Sequence, residues 1–168
     1  KNDAYKITDP KRRYSESITC IEAKKYNHNL GEVSKKETPG RFPHRQIRDY
    51  LNDAYDESAH RPYFKWAILT NGKEWRLYNR DSQTPSYFSL NLERAVKDLE
   101  SFKYFYTLFH VNAFIQDENY TCRLDKILRE SLDKQAKLEK NLQLRIYKVL
   151  EILASGFYNH HSNKIENL

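Results

Sequence analysis

The sequence predicts an α/β fold, with a central mixed sheet of four or five strands flanked by helices and followed by a helical extension. Three observations predict it. Strand-like runs alternate with one amphipathic helical segment before residue 92, an Asn-Gly pair separates two apolar runs, and a long amphipathic pattern fills the last third of the chain. A length of 168 residues suits one such domain with an appendage.

The first predicted strands are residues 3–8 and 17–25, which are rich in β-branched and aromatic side chains. The polar stretch 9–16 between them predicts a hairpin connection. A turn centred between Arg12 and Arg13 would place Asp3 opposite Glu22 and Asp9 opposite Glu16. An asymmetric turn or a bulge would change this register.

The next segment, residues 27–41, is polar and contains two glycines and a proline, so it predicts a loop. Residues 43–58 predict a helix. Pro43 suits its first turn, and apolar side chains recur at helical spacing at Ile47, Tyr50, Leu51 and Ala54.

Residues 64–70 and 74–79 predict two strands, because each is an apolar run and Asn71-Gly72 between them favours a hairpin. A further short strand is predicted near residues 87–90.

The remaining residues predict helices, first over 93–115 and then from about Leu124 onward. One apolar stripe with steps of three and four residues marks the second helix, and Gly156 suits its C-cap. We expect this stripe to be buried, against the α/β part or against a following domain. We therefore divide the chain into an α/β core, 1–92, and a helical extension, 93–168. The stripe consists of Leu138, Leu142, Ile146, Val149 and Leu153.

Composition limits the function classes. Twenty-nine Lys and Arg against 23 Asp and Glu give a net charge of +6, which favours a polyanionic partner. Cys20 and Cys122 match neither a zinc spacing nor a disulfide framework. No apolar run reaches the roughly 20 residues of a membrane span, so no membrane partner is expected. The sequence contains no methionine, and we interpret it as part of a longer protein.

The chemistry centres on Glu22 and Lys24. Residues i and i+2 of a strand project to one face, so the two side chains share a side with Cys20. Such a carboxylate and ammonium can hold a divalent cation and stabilise developing phosphate charge. Asp3 is the preferred second carboxylate because the hairpin register places it opposite Glu22. The alternative for Glu22 and Lys24 is a simple salt bridge at a strand end.

The ordered set of motifs resembles the PD-(D/E)XK nuclease superfamily. Asp3 and then Glu22-Ala23-Lys24 resemble the catalytic motif, although Asn2 stands where that family usually has Pro. Gln46 and Tyr50 resemble its helical Q-x-x-x-Y element. Residues 67–72 with Trp75 and Tyr78 resemble the strands of restriction-enzyme nuclease domains, and residues 127–132 and 149–157 resemble the segment that follows the nuclease in type IIG restriction enzymes.

This resemblance implies a Mg²⁺-dependent endonuclease domain of a cytoplasmic, prokaryotic restriction-modification enzyme, acting on double-stranded DNA. Asp3, Glu22, Lys24 and Gln46 would be catalytic. Asp3, Glu22 and the Ala23 carbonyl would hold the metal. Methyltransferase and specificity domains, with S-adenosylmethionine, would lie elsewhere in the parent chain. Cleavage of both strands would require two nuclease domains to pair transiently.

Contacts to DNA are expected from basic residues around the loop before the Gln46 helix, together with one tyrosine. For Tyr50 the alternative is a place in the core. Two alternatives to catalysis remain: an inactive nuclease-fold module that binds DNA or serves as a scaffold, and a domain that serves protein contacts. The expected DNA contacts are Lys25, Lys35, Lys36, Arg41, Arg45, Arg48 and Tyr50.

Overall fold

The computed structural model describes residues 8–33, 42–82 and 86–165. Its contacts divide the chain into one compact unit that ends at Leu124 and a second that begins at Asp125. The boundary predicted after residue 92 therefore does not coincide with the division between compact units. The reason is that the helices directly after residue 92 pack against the sheet and belong to the first unit.

A four-stranded mixed sheet forms the centre of the first unit, as predicted. Its strands are β1 (Cys20–Ala23), β4 (Trp66–Thr70), β5 (Glu74–Asn79) and β6 (Phe88–Asn91), in that spatial order. β1 runs parallel to β4, and the other two pairs are antiparallel. A parallel pair requires a crossover connection, and the chain between β1 and β4 contains one helix.

The helix α2 (Pro43–Asp53) lies in that crossover and is shorter than the predicted span 43–58. Its apolar side chains Ile47 and Leu51 are fully buried with Leu69 and Tyr78 of the sheet. The helix ends because the chain turns into a two-stranded sheet, β2 (Tyr55–Asp56) with β3 (Arg61–Pro62). The Asp56 carboxylate accepts from the Ser58 and Ala59 N–H groups and so fixes the turn between them.

The predicted hairpin turn at residues 9–16 is wrong, because that stretch forms a short helix, α1 (Pro10–Ser15). The Arg13 N–H donates to the Asp9 carbonyl at 2.9 Å. The Ser15 and Ser17 hydroxyls donate to the carbonyls of Arg12 and Arg13, which satisfies acceptors at the helix end. Arg12 and Arg13 therefore lie within a helix and not at the centre of a turn. The predicted strand 3–8, apart from Thr8, and Asp3 itself lie outside the described residues.

The β4–β5 hairpin is confirmed, with its turn one residue later than predicted. Thr70 pairs with Trp75, so Gly72 and Lys73 form the turn. The Asn71 side-chain oxygen accepts from the Lys73 and Glu74 N–H groups. Asn71 can make these bonds because it precedes the turn and does not lie within it. Gly72 has φ +83°, the left-handed conformation that glycine adopts without strain.

Helices cover part of the second face of the sheet, over Trp75 of β5. The predicted helical stretch 93–115 is divided into α3 (Leu92–Ala95), α4 (Leu99–Phe109) and a 3-10 turn (Val111–Ala113). The division arises at Asp98, whose carboxylate accepts from the Ser101 N–H and begins a new helix. Trp75 contacts Phe105 and Phe109 edge-to-face, with ring centroids 5.3 and 5.5 Å apart.

The second unit consists of most of the helix α5 (Arg123–Ile165). The predicted stripe from Leu138 to Leu153 is exposed, and its expected burial is not found among the described residues. Burial against a following domain stays a prediction. The predicted C-cap at Gly156 is wrong, since the helix continues nine residues beyond it. Among the helices in the described ranges, none has both the length and the apolar character needed to cross a bilayer.

Candidate active site

The parallel strands β1 and β4 end side by side, and the candidate site lies where they end. Lys24 directly follows β1, and its backbone N–H donates to the carbonyl of Thr70, the last residue of β4, at 2.7 Å. The ends of parallel strands are where α/β sheets place polar functional groups, because the crossover connection leaves that edge open. This register fixes the backbone from which the Lys24 side chain extends.

Glu22 projects to the face of the sheet that α2 covers. It pairs with Leu69, which lies on the buried face with α2 residues. Cys20, two residues earlier, packs against the same cluster. The other face of β1 is open to solvent at Ile21, which is 57 % exposed, and β1 is the end strand of the described sheet.

Lys24 and Glu22 form a close and largely buried ion pair. The Lys24 Nζ lies 2.7 Å from Glu22 Oε1, and the two side chains are 6 % and 18 % exposed. Partial removal from water strengthens the attraction between the charges and raises the cost of separating them. The predicted common face of these two residues is confirmed.

Gln46 connects this pair to helix α2. Its side-chain carbonyl accepts from Lys24 Nζ at 3.1 Å, and its amide donates to the Tyr50 hydroxyl at 2.7 Å. Gln46 and Tyr50 are one helical turn apart and so share a face of the helix. Tyr50 is also partly buried against the core cluster, which fits the alternative considered for it. Four predicted site residues thus form one chain of contacts: Glu22, Lys24, Gln46 and Tyr50.

The Cys20 thiol lies beneath this chain of contacts and is not a nucleophile. Burial, and then the nearby Glu22 carboxylate, raise its pKa to about 12, because both disfavour the thiolate. A thiol that stays protonated at neutral pH is inert. Cys20 packs against the core cluster, which is the place of a small apolar side chain.

The described residues contain no group of three or more His, Cys, Asp and Glu side chains placed to hold a metal ion. The Glu22 carboxylate is the one predicted side-chain ligand among them. The second, Asp3, lies outside the described residues, and the role of the Ala23 carbonyl stays a prediction. Glu22 is nevertheless a hard oxygen donor, and Mg²⁺ is commonly held by one or two carboxylates with water and substrate phosphate completing its shell.

Six of the seven predicted DNA contacts divide into three groups. Lys35, Lys36 and Arg41 lie outside the described residues, whereas Lys25 and Arg45 are exposed. Tyr50 belongs to the contact chain above.

Arg48 has a structural role, and its predicted contact with DNA stays a prediction. Its guanidinium donates to the backbone carbonyls of Asn79, Arg80, Ser82 and Ser86, at 2.8 to 3.4 Å. These contacts hold together the chain segment that follows β5. A guanidinium with several carbonyl partners has few donors left for a phosphate.

Sequence reasoning missed a second charged pair on the same face of the sheet, Glu74 and Arg76. Arg76 Nε lies 2.7 Å from Glu74 Oε1, and Arg76 lies in the row of Glu22 and Leu69. Its guanidinium also stacks 4.6 Å from the Tyr87 ring. The signal was available, since these residues are two apart in a strand, like Glu22 and Lys24.

His44, at the start of α2, adds to this region. Burial and then the charges of Arg45, Arg76 and Arg48 lower its pKa, so the imidazole is neutral at pH 7. Basic side chains therefore surround the amino end of α2.

Comparison of the chain with protein-family models, with curated proteins and with solved structures found no match.

Proposed function

We propose that this chain is a metal-dependent endonuclease domain that hydrolyses phosphodiester bonds of double-stranded DNA. The observation that carries the proposal is the contact chain from Glu22 through Lys24 to Gln46 at the ends of two parallel strands. It brings a carboxylate, an ammonium and an amide together where the sheet edge is open. The motif resemblance, with its order of strand, helix and hairpin, supports the same chemistry.

The residues present suit Mg²⁺ in type, because Glu22 supplies a hard carboxylate oxygen and Asp3 is the proposed second ligand. When bound, the ion would lower the pKa of a water molecule and stabilise negative charge on the phosphate. Metal binding requires the Glu22 carboxylate to contact the ion, so its negative charge would be shared between Lys24 and the ion. The 18 % exposure of the Glu22 side chain leaves it accessible for this exchange.

Lys24 supplies a positioned positive charge. Its side chain is only 6 % exposed and is held on two sides, by Glu22 and by Gln46 Oε1. A fixed cation stabilises developing negative charge on a phosphate without first reorganising. It can equally orient an attacking water as a hydrogen-bond donor. Gln46 positions Lys24, and Tyr50 in turn orients the Gln46 amide, which is the arrangement that preorganised sites require.

DNA is the proposed substrate because the chain carries a net charge of +6 and exposes basic side chains near the site, Lys25 and Arg45 among them. Restriction-type function, with methyltransferase and specificity domains in a longer parent protein, rests on the motif resemblance alone. An inactive module that binds DNA through the same surface is the competing proposal.

The test is cleavage of supercoiled plasmid DNA with Mg²⁺, measured beside DNA binding with Ca²⁺. Lys24→Met keeps the aliphatic length and should reduce cleavage by about a hundredfold or more, with little change in DNA affinity. Lys103→Met is the matched control, since Lys103 is also paired with a carboxylate, Glu100, at 2.6 Å but lies on α4. It should leave both measurements unchanged.

Three results would overturn the proposal. If the Lys24→Met variant cleaved DNA at the unaltered rate, Lys24 would have no role in the reaction. DNA binding without any cleavage, with Mg²⁺ or Mn²⁺, would establish the inactive module. The absence of DNA binding at low salt would reject both proposals and favour a domain for protein contacts.

A further inference from the structure

A polar pocket of about 290 Å³ lies beside the candidate active site and is not explained by it. It is formed where the loop after β1 meets the β4–β5 turn and the strand β6. Its volume is near the lower end of the range for small-molecule sites. Its lining residues are Asn27, His28, Asn29, Asn71, Lys73, Glu74, Ser89, Leu90 and Asn91.

The acceptor oxygens of this lining are used within the protein. The Asn71 side-chain oxygen accepts from two backbone N–H groups of its turn, and the Asn29 oxygen accepts from the Gly31 N–H. The Asn91 oxygen caps α3 by accepting from the Arg94 N–H at 3.1 Å. Both carboxylate oxygens of Glu74 accept from Arg76. These bonds occupy part of the acceptor capacity of the lining.

Donors remain available. Lys73 Nζ pairs with Glu93 at 3.0 Å, and an ammonium has three protons, so two more bonds can form. The capping bond to the Asn91 side-chain oxygen orients this side chain, and its amide nitrogen is the second donor. The Nε2 atom of His28 is buried and has no hydrogen-bond partner among the described residues. A buried polar atom without a partner is costly, and a water molecule can supply the missing bond.

We propose that this pocket binds one nucleotide unit, with its phosphate oxygens accepting from Lys73 and Asn91. Phosphate oxygens are strong acceptors that match the ammonium and the amide of these two side chains, and the Glu74 carboxylate of the lining is paired with Arg76. The remaining volume admits the attached sugar and base, whose polar edges Asn27 and Ser89 can contact. The proposal rests on the proposed function, since the nucleotide would belong to the DNA strand at the site.

The position of the pocket supports this role. Asn27 follows Lys24 by three residues, and Asn71 directly follows Thr70, whose carbonyl holds the Lys24 backbone. The Asn71 amide donates to the His28 carbonyl at 2.7 Å and joins the two sides of the pocket. A nucleotide held here would lie next to a phosphodiester at Lys24, which places the strand in register with the site.

The test uses the whole 168-residue chain without divalent metal, so binding is measured apart from cleavage. A fluorescent 12-nucleotide single strand, 5′-dAMP and inorganic phosphate are titrated in parallel. Binding of the oligonucleotide and of 5′-dAMP, with perturbation of the His28 imidazole NMR signals, is expected. Asn91→Asp should weaken oligonucleotide binding by about tenfold, because it replaces a donor with a negative oxygen and retains the α3 cap.

Lys73→Gln should weaken oligonucleotide binding similarly, whereas Lys103→Gln, which removes an equally paired lysine outside the pocket, should not. Oligonucleotide affinity unchanged in Asn91→Asp and Lys73→Gln would overturn the proposal. Binding of 5′-dAMP or phosphate with no pocket-dependent oligonucleotide binding would show a free-nucleotide or free-phosphate site and overturn the DNA assignment. A pocket that binds as expected in a chain that never cleaves DNA would reject the nuclease and leave the nucleotide site standing.

Discussion

The Lys24 ammonium and the Glu22 carboxylate are 2.7 Å apart, and the lysine side chain is only 6 % exposed. Both charges have lost much of their water, and each compensates the other. Buried pairs of this kind seldom add much stability over an apolar pair, but breaking one is expensive. Under the proposed function, the pair would prepare the site for an incoming charge.

A double-mutant cycle tests this relationship. Lys24→Met and Glu22→Gln should each lower the free energy of unfolding by ~1–3 kcal/mol, because each removes one member of a largely buried ion pair. The double variant should lose less than the sum of the two, with a coupling of at least about 1 kcal/mol. Urea unfolding at neutral pH measures all four proteins. Additive losses would show that the two charges do not interact.

Arg48 and Arg45 should separate stability from DNA affinity. Arg48→Lys removes the forked guanidinium that donates to four backbone carbonyls, so it should cost ~1–2 kcal/mol of unfolding free energy. Arg45→Gln should leave stability within about 0.5 kcal/mol, since Arg45 is exposed, and should weaken DNA binding. Thermal unfolding measures stability, and DNA binding at two salt concentrations measures affinity. A loss of stability in Arg45→Gln with none in Arg48→Lys would contradict the structure.

Two glycine substitutions should have opposite signs. Gly72→Ala should destabilise the protein by ~1–2 kcal/mol, because φ is +83° and the new Cβ would lie 3.1 Å from the Tyr26 ring. Gly156→Ala should stabilise α5 by ~0.5–1 kcal/mol, since that position is helical and nothing lies within 4 Å of the new Cβ. Circular dichroism during heating follows α5, and urea unfolding follows the first unit. Equal effects at both positions would refute the turn geometry.

The reactivity of Cys20 should depend on pH in a defined way. Its pKa of about 12 means that the folded protein has almost no Cys20 thiolate at pH 8, so alkylation by iodoacetamide should be slow there. In the unfolded chain the thiol ionises near its ordinary pKa of ~8.5. The thiol therefore contributes stability below about pH 8.5, and this contribution falls as pH rises toward 12. Peptide mass spectrometry resolves Cys20 from Cys122, and rapid alkylation of folded Cys20 at pH 8 would contradict its burial.

Local patterns predicted several elements because short-range physics specifies them. The Asn71-Gly72 pair predicted the hairpin, since a tight turn needs a residue that tolerates positive φ. Pro43 and the spacing of Ile47 and Leu51 predicted α2. The alternation of β1 predicted the common face of Glu22 and Lys24, because a strand has a period of two whatever it pairs with.

Other features depended on contacts distant in sequence. The contact of Gln46 with Lys24 arises because α2 crosses over between two parallel strands, and Arg48 is held by carbonyls more than thirty residues away. No local pattern contains that information. Residues 9–16 illustrate the limit, since a polar stretch fits a turn or a short helix equally well. The stretch forms a helix, and the Ser15 and Ser17 hydroxyls donate to its last carbonyls. Spacing along the chain specifies which side chains share a face, whereas the partners of that face are specified by long-range packing.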